Sequence, residues 1–446
     1  LYAQQGAFEW EVLVTTIDLN QFAAQISRLE RANRSIESQA RSLAPRHAHH
    51  QPSHVMYGGA HLFSENTFTR ISELALAAFN FAAPTPVALS ALMEGSWDNA
   101  FAQKLHTKVL NKISTDPLED YRIDFEDGYG VRSDAEEDHH ASSTATILAQ
   151  LAKRGQTPRH VGFRIKPLSM AGMRRAFRTL TLFVDRFVAE HAVHGSVKRL
   201  IVTLPKVTNA EQVATVVDIL ENFEERYQLS AGFFVLEILI ESPEAFLSVD
   251  GTIPMASIIA AARGRCQSLH FGVYDFTSAL GIGSAGQSID HLACDFARLW
   301  MQIAAGLAPG LGLSDGIISR LPIVPKVLTA ASEADFKAAW RYNFQQIMRS
   351  LSLGFYQGWD LHPAQLPVRH IANYAFVMRE LEGAVGRLKT FCEKASTASH
   401  IGGVFDDRAS VLGLLNFFDR AQLSGVLSAT EIQDLGIDLA AVRQSI

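Results

Sequence analysis

Phe233-Phe234-Val235-Leu236-Glu237-Ile238-Leu239-Ile240-Glu241 is a short apolar run that ends on an acid. It reads as one strand of a parallel sheet, because seven similar runs share its rhythm with longer helical segments between them. Upstream they are Val55-Met56-Tyr57, Tyr121 to Asp127, His160 to Lys166, and Arg199 to Pro205. Downstream they are Ser268 to Asp275, Leu311 to Ile318, and Phe355 to Leu361. The helical pattern is clearest over Gln287 to Leu307, which places Ile289, Leu292, Ala293, Phe296, Leu299, Trp300 and Ile303 on one face. A second covers Glu333 to Leu353, with Phe336, Trp340, Phe344 and Ile347. Eight strands alternating with helices fit an α/β fold, a closed (β/α)8 TIM barrel. An open doubly wound sheet with an insertion fits the same rhythm, because sequence periodicity does not show closure.

Around this barrel, taken as residues 53–392, the chain divides into two flanks. Residues 1–52 read as a helical extension, with Phe22, Ile26 and Leu29 at helical spacing and a polar connector, Arg46-His47-Ala48-His49-His50. Residues 393–446 read as a C-terminal lid or oligomerisation segment on a small, polar linker. Length permits this layout: 446 residues suffice for a large core without disulfide or metal staples. With 46 acidic against 40 basic residues, the chain lacks the electrostatic footprint of a nucleic-acid or anionic-membrane binder. Cys266, Cys294 and Cys392 do not make a disulfide framework and read as free thiols in a reducing compartment. Leu1-Tyr2-Ala3-Gln4-Gln5 lacks the basic and apolar regions of a secretory signal, so the expectation is a cytoplasmic protein. Leu74 to Met93 carries no charge, but its Asn80, Pro84, Thr85, Pro86 and Ser90 point to a buried helix ending before Pro84 and then a loop.

Active sites of parallel barrels form at the C-terminal ends of the strands. Polar residues fall at those ends here: Asp124, Glu126 and Asp127 on strand two, Arg164 and Lys166 on strand three, and Lys206 on strand four. Glu241 ends strand five and Asp275 ends strand six. Each alone reads as the first solvated residue after a strand; five strands doing so together point to a shared rim. Glu241 and Asp275 are hard oxygen donors without neighbouring Cys or His, a set suited to Mg²⁺ or Mn²⁺. A cation there would polarise a carbonyl or thioester oxygen and stabilise a developing enolate. Arg164 would hold a substrate carboxylate through its bidentate fork, and Glu126 and Asp127 would order metal waters.

These residues resemble the citrate lyase β-subunit and HpcH/HpaI aldolase family of the phosphoenolpyruvate/pyruvate superfamily. Asp124-Phe125-Glu126-Asp127 is similar to its D-x-E-D, Gly162 to Lys166 to its V-R-I-N strand, and Leu204-Pro205-Lys206-Val207 to its L-P-K-V. Leu239 to Ser242 resembles I-E-T/S, Phe271 to Phe276 resembles F-G-x-x-D followed by an apolar residue, and Gly358 to Gln365 resembles the late G-K-x-x-x-H-P-x-Q. The resemblance implies a TIM barrel, Mg²⁺ on Glu241 and Asp275, substrate contacts by Arg164, Lys206 and Gly272, and cleavage or formation of a C–C bond next to a carbonyl. It also implies a trimer or hexamer. Phe405-Asp406-Asp407-Arg408-Ala409-Ser410-Val411 is similar to the M-I-D-x-x-x-V of CoA-thioester members, which makes Asp407 a candidate acid/base supplied to a neighbouring subunit. A helix N-cap explains the same acids. The chain departs from the family at Lys166, where the family has Asn, and at His54 to Gly59, where it has L-F-V-P-G.

Other signals weigh less. Gly281-Ile282-Gly283-Ser284-Ala285-Gly286 spells G-x-G-x-x-G but lies in the sixth βα loop, not between a first strand and its helix. Lys206 as a Schiff base is the minority reading beside the metal-type carboxylates; a pairing with Glu126, Asp127 or a substrate oxygen is the main one. His139 and His140 read as solvated surface, and Trp300, Trp340 and Trp359 as core. His54 and His61 are candidates for a base near the metal, and His362 either caps a helix or meets ligand. The expectation is a Mg²⁺- or Mn²⁺-dependent carbon–carbon lyase acting on a small carboxylate or acyl-CoA, with a thioester-condensing enzyme and a non-catalytic assembly barrel as rivals.

Overall fold

The computed structural model describes residues 23–46, 50–93, 97–191, 197–327, 329–393, 399–401, 404–406 and 408–445. Eight parallel strands close into a barrel in sequence order: β1 (His54–Gly59), β2 (Asp120–Asp124), β3 (His160–Arg164), β4 (Leu200–Leu204), β5 (Phe234–Ile240), β6 (Cys266–Phe271), β7 (Gly312–Ile317) and β8 (Gln357–Asp360). Closure comes from β1 pairing with both β2 and β8, His54 opposite Gly358 and Met56 opposite Tyr121. All eight expected runs are strands, and the open-sheet alternative falls away. β6 stops at Phe271, however, and Asp275 lies in the first turn of a short helix, Val273–Ala279. Gly272 makes the corner: a Cβ there would sit 2.2 Å from Glu241 Oε2.

Outward-facing strand residues and the surrounding helices share one large core. The lumen is different. Val55, Tyr57, Leu239, Ile317 and Trp359 fill part of it, and beside them lies a buried polar network. Arg122 pairs with Asp120 and Glu237, and Thr203 Oγ1 donates to Glu237 at 2.9 Å. His270 Nε2 lies 3.1 Å from Glu237, and Tyr57 Oη donates to the same carboxylate.

The uncharged stretch from Leu74 onward forms the end of helix Thr67–Ala82, as expected. The chain then resumes as a second helix, Pro86–Leu92, where a loop was expected. Thr85 caps that helix and Pro86 takes the first-turn position, where its missing N–H is not needed. Among the described residues no single helix is long and apolar enough to cross a membrane; these two pass such a test only together and are bent by 80°. The helix Leu292–Gly306 turns the opposite way from expectation. Cys294, Ala297, Arg298, Met301 and Ala304 face the barrel, while Leu292, Phe296, Leu299 and Ile303 face outward.

The extension contributes helix Ala23–Leu43; Phe22, His47 and His49 lie outside the described residues. The C-terminal helices, Arg408–Leu423 onward, dock on the N-terminal end of the barrel. There Arg420 donates to Gln51, and Lys108 reaches the Val426 carbonyl at 2.9 Å and Glu431 at 2.7 Å. That same end buries His54, whose Nε2 accepts the Glu119 backbone N–H at 3.1 Å, with the His370 ring at 5.5 Å. His54 is therefore at the far end of the strands from the rim and is not a base near it.

Burial pushes His54 down to about 3 and His270 down to about 4, so both are neutral in the native chain. Each takes up a proton near 6.5 once unfolded, so the stability they contribute is complete above pH 6.5 and drains as pH falls toward their folded values. The expected loss is about 1.4 kcal/mol per pH unit for each such histidine. Thermal melts of wild type and His54→Gln between pH 7 and pH 5 check this; parallel slopes for the two proteins would refute it.

Candidate active site

The rim is organised by Asp124, the last residue of β2. Its carboxylate accepts Arg164 Nε at 2.6 Å and Nη2 at 2.5 Å. It also accepts the backbone N–H of Glu126 at 3.0 Å and of Gly128 at 2.7 Å. Four charge-assisted or backbone donors thus saturate one carboxylate, and the loop after β2 folds around it. Gly59 allows the close approach of that loop, since a Cβ there would lie 2.2 Å from the Gly128 carbonyl.

Arg164 is buried, with its guanidinium 5.0 Å from the Tyr57 ring and 5.4 Å from the Trp359 ring. Its fork is already spent on Asp124, so the bidentate grip on a substrate expected from sequence is not available. What faces the rim is Nη1, 2.8 Å from Glu126 Oε2 and without an aligned hydrogen bond. Trp359 Nε1 is a second buried donor with no hydrogen-bond acceptor among the described residues.

Lys206 follows Pro205 at the end of β4 and sits at φ +51°, a left-handed conformation rare for a side chain of this kind. The strained backbone donates its N–H to Glu241 Oε1 at 2.8 Å. Its ammonium reaches Glu126, Asp127 Oδ1 at 3.5 Å and Asp275 Oδ1 at 3.4 Å. Strands β2, β4 and β5 and the helix after β6 therefore bring Glu126, Asp127, Lys206, Glu241 and Asp275 together beside Arg164. Burial opposes the charge on Lys206, but the hydrogen bond and charge of Glu126, with Glu241 and Asp127, outweigh it and hold the amine well above its ordinary value. An amine held protonated is a poor Schiff-base nucleophile.

Burial, reinforced by the charge of Asp275, pushes the Glu241 carboxyl up to about 8. Burial likewise raises Glu126 against the opposing charge of Arg164. A divalent cation would reverse this cost, and the donors fit a hard one. Glu241 and Asp275 offer only oxygen, and Gly272 leaves the Glu241 carboxylate the space a side chain would fill. Among the described residues no three His, Cys, Asp or Glu side chains gather as a ready-made cage. Two carboxylates with waters and substrate completing the shell is the Mg²⁺ pattern rather than the structural-zinc one.

Several sequence expectations change in three dimensions. Lys166 turns from the rim, donating to the Phe125 carbonyl at 2.9 Å and pairing with Glu137 at 3.3 Å, so its charge is absorbed under the outer helices. His362 Nδ1 accepts the Ala364 N–H at 3.1 Å and acts as a cap. His61 lies beside Tyr129 near the β1 end of the rim. Asp407 lies outside the described residues. Asp124, Tyr57 and Trp359 carried no assigned role at the site from sequence; Val55-Met56-Tyr57 is apolar throughout, so its residue types do not show that Tyr57 faces the lumen and Arg164.

Residues 33–446 match the family model DUF6986, a domain of unknown function. The chain belongs to the DUF6986 family. No curated protein matches it. Among solved structures, this DUF6986 barrel resembles a citrate lyase from Burkholderia xenovorans LB400 at 18% identity and a TM-score of 0.55, covering 86% of this chain and 96% of that one. A malate synthase from Haloferax volcanii, at 11% identity, gives 0.48 over 78% of this chain and 86% of that one. CitE from Mycobacterium tuberculosis, solved with magnesium, acetoacetate and coenzyme A, gives 0.43 at 15% identity over 83% and 97%. At such identities, the likeness to the citrate lyase establishes a common TIM-barrel fold.

Two substitutions test the DUF6986 rim. Asp124→Ala strands the buried guanidinium and should cost about 3–5 kcal/mol in denaturant unfolding; a loss below about 1 kcal/mol would show that Asp124 does not organise the site. Glu241→Gln should abolish Mn²⁺ binding in calorimetry while leaving the circular-dichroism spectrum unchanged, and wild-type affinity in that variant would remove Glu241 as a ligand.

Proposed function

We propose that this protein is a Mg²⁺- or Mn²⁺-dependent carbon–carbon lyase or condensing enzyme acting next to the carbonyl of a 2-oxo acid or an acyl thioester. The observation that carries the reading is the strained Lys206, drawn among Glu126, Asp127 and Asp275 with Glu241 on its own N–H. The ordered motifs from Asp124 to Gln365 and the fold shared with a citrate lyase support it.

Glu241 and Asp275 would hold the cation, which supplies Lewis-acid polarisation of a carbonyl oxygen. Arg164 Nη1 and Lys206 Nζ present two fixed positive groups to the oxygens of a carboxylate or a developing enolate, and being already in place they need no reorganisation. Glu126, shared between those cations, is positioned to accept and return a proton, with Asp127 holding the other side of Lys206. Gly272 keeps the corner beside Glu241 open for substrate. The similarity of Phe405 to Val411 to the CoA-thioester motif favours a thioester as the second substrate class, with Asp407 as the acid/base that this segment supplies to a neighbouring subunit.

Proton-to-deuteron exchange in D₂O, followed by NMR at the methyl groups of pyruvate and of acetyl-CoA, tests the reading. Exchange of pyruvate that a chelator stops is the outcome for a 2-oxo acid enzyme, and exchange of acetyl-CoA the outcome for the thioester branch. With neither exchanging and no Mn²⁺ bound, the chain is a non-catalytic barrel.

A further inference from the structure

The helix Leu292–Gly306 carries a second apolar row besides the one it packs on the barrel, where Cys294, Ala297, Met301 and Ala304 lie beside the buried Arg298. A solvated helix face is normally polar, with the apolar stripe turned to the core. Here the charged residues of the helix are drawn off the outward face: Arg298 is buried against Asp315 at 2.9 Å, and the half-buried Asp295 pairs with Arg298 at 2.8 Å and with Arg349 at 2.6 Å. Outward stand Leu292, Phe296, Leu299, Ile303 and, just beyond the helix end, Leu307, exposed by 79%, 54%, 58%, 60% and 49%. Their spacings of four, three, four and four residues make one continuous row along the helix. Leu353, also exposed, lies beside this helix, where Gln302 donates to its carbonyl.

The row exposes about 600 Å² of apolar surface, at ~200 Å² for each fully exposed large side chain, as much as the largest patch on a typical monomer. A subunit contact of ordinary size takes roughly 800 Å² from each partner, so this row supplies most of one. No charged side chain lies on it to select a partner of opposite charge. Its order, Leu-Phe-Leu-Ile-Leu, puts apolar side chains on both sides of Leu299, so the row can lie antiparallel on a second copy of itself, as an isologous contact does.

We propose that the outward face of helix Leu292–Gly306 is the seat of a two-fold contact with a second copy of this chain. Two such helices cross antiparallel at Leu299. Leu299 meets its own copy, Phe296 meets the partner's Ile303, and Leu292 meets the partner's Leu307. The contact lies on the barrel flank and leaves the rim open. It is independent of the proposed chemistry, since it uses no residue of the rim.

Sedimentation velocity of the full chain should show an even-numbered oligomer, and Leu299→Lys with Ile303→Lys should halve its mass with unchanged circular dichroism. Should that variant fail to fold, Leu299→Cys in a Cys392→Ser background should form a disulfide-linked dimer on mild oxidation. A wild-type chain sedimenting at 49.0 kDa, an oligomer whose mass the double substitution leaves unchanged, or a Leu299→Cys variant that does not cross-link would each overturn the contact.

Discussion

A buried guanidinium is the constraint on which the rim depends. Arg164 has no access to water, and an unpaired charge in that place would cost several kcal/mol. Asp124 answers it with both carboxylate oxygens, and through those oxygens gathers the backbone of Glu126 and Gly128. The conformation of the loop after β2, and hence the placement of Glu126 and Asp127, follows from neutralising one arginine. The rings of Tyr57 and Trp359 then hold the cation from the lumen side, where an aliphatic wall would offer it no electrostatic return.

Below this layer the barrel is less apolar than its strands suggest. Arg122, Asp120, Glu237, Thr203 and His270 form a buried network centred on the Glu237 carboxylate. Tyr57 joins the two levels: its hydroxyl belongs to Glu237 and its face to Arg164. Such a network tolerates little rearrangement, because moving one member leaves another buried and unpaired. The carboxylates above it are therefore carried on a rigid floor, as preorganised electrostatic chemistry requires. The strain at Lys206 fits the same picture: an unfavourable φ is maintained where it aims both a backbone N–H and an ammonium at the rim.

The outer ring shows the converse relation. Helix Leu292–Gly306 places Arg298 inward because Asp315, within β7, is buried and needs a counter-charge. Rotating the helix to serve that pair turns its leucines, isoleucine and phenylalanine outward. Apolar periodicity alone could not reveal this, since an amphipathic helix has the same pattern whether its apolar face meets its own barrel or another subunit.

What the sequence determined by itself was the alternation of eight apolar runs with helices, the strand-end positions of Asp124, Glu126, Asp127, Arg164, Lys206 and Glu241, and the oxygen-only character of the candidate metal donors. Those properties are local, carried by residue type and spacing. Only the tertiary structure decided which of the charges are spent on one another. Arg164 and Lys166 were equally plausible rim cations in one dimension, yet one is pinned between Asp124 and Glu126 and the other is drawn away to Glu137. The same holds for Asp275, moved from a strand into a helix by the corner at Gly272, and for His54, carried to the far end of the barrel. Pairing of buried charges depends on distances of a few ångströms between segments far apart in sequence, and closure of the barrel sets those distances.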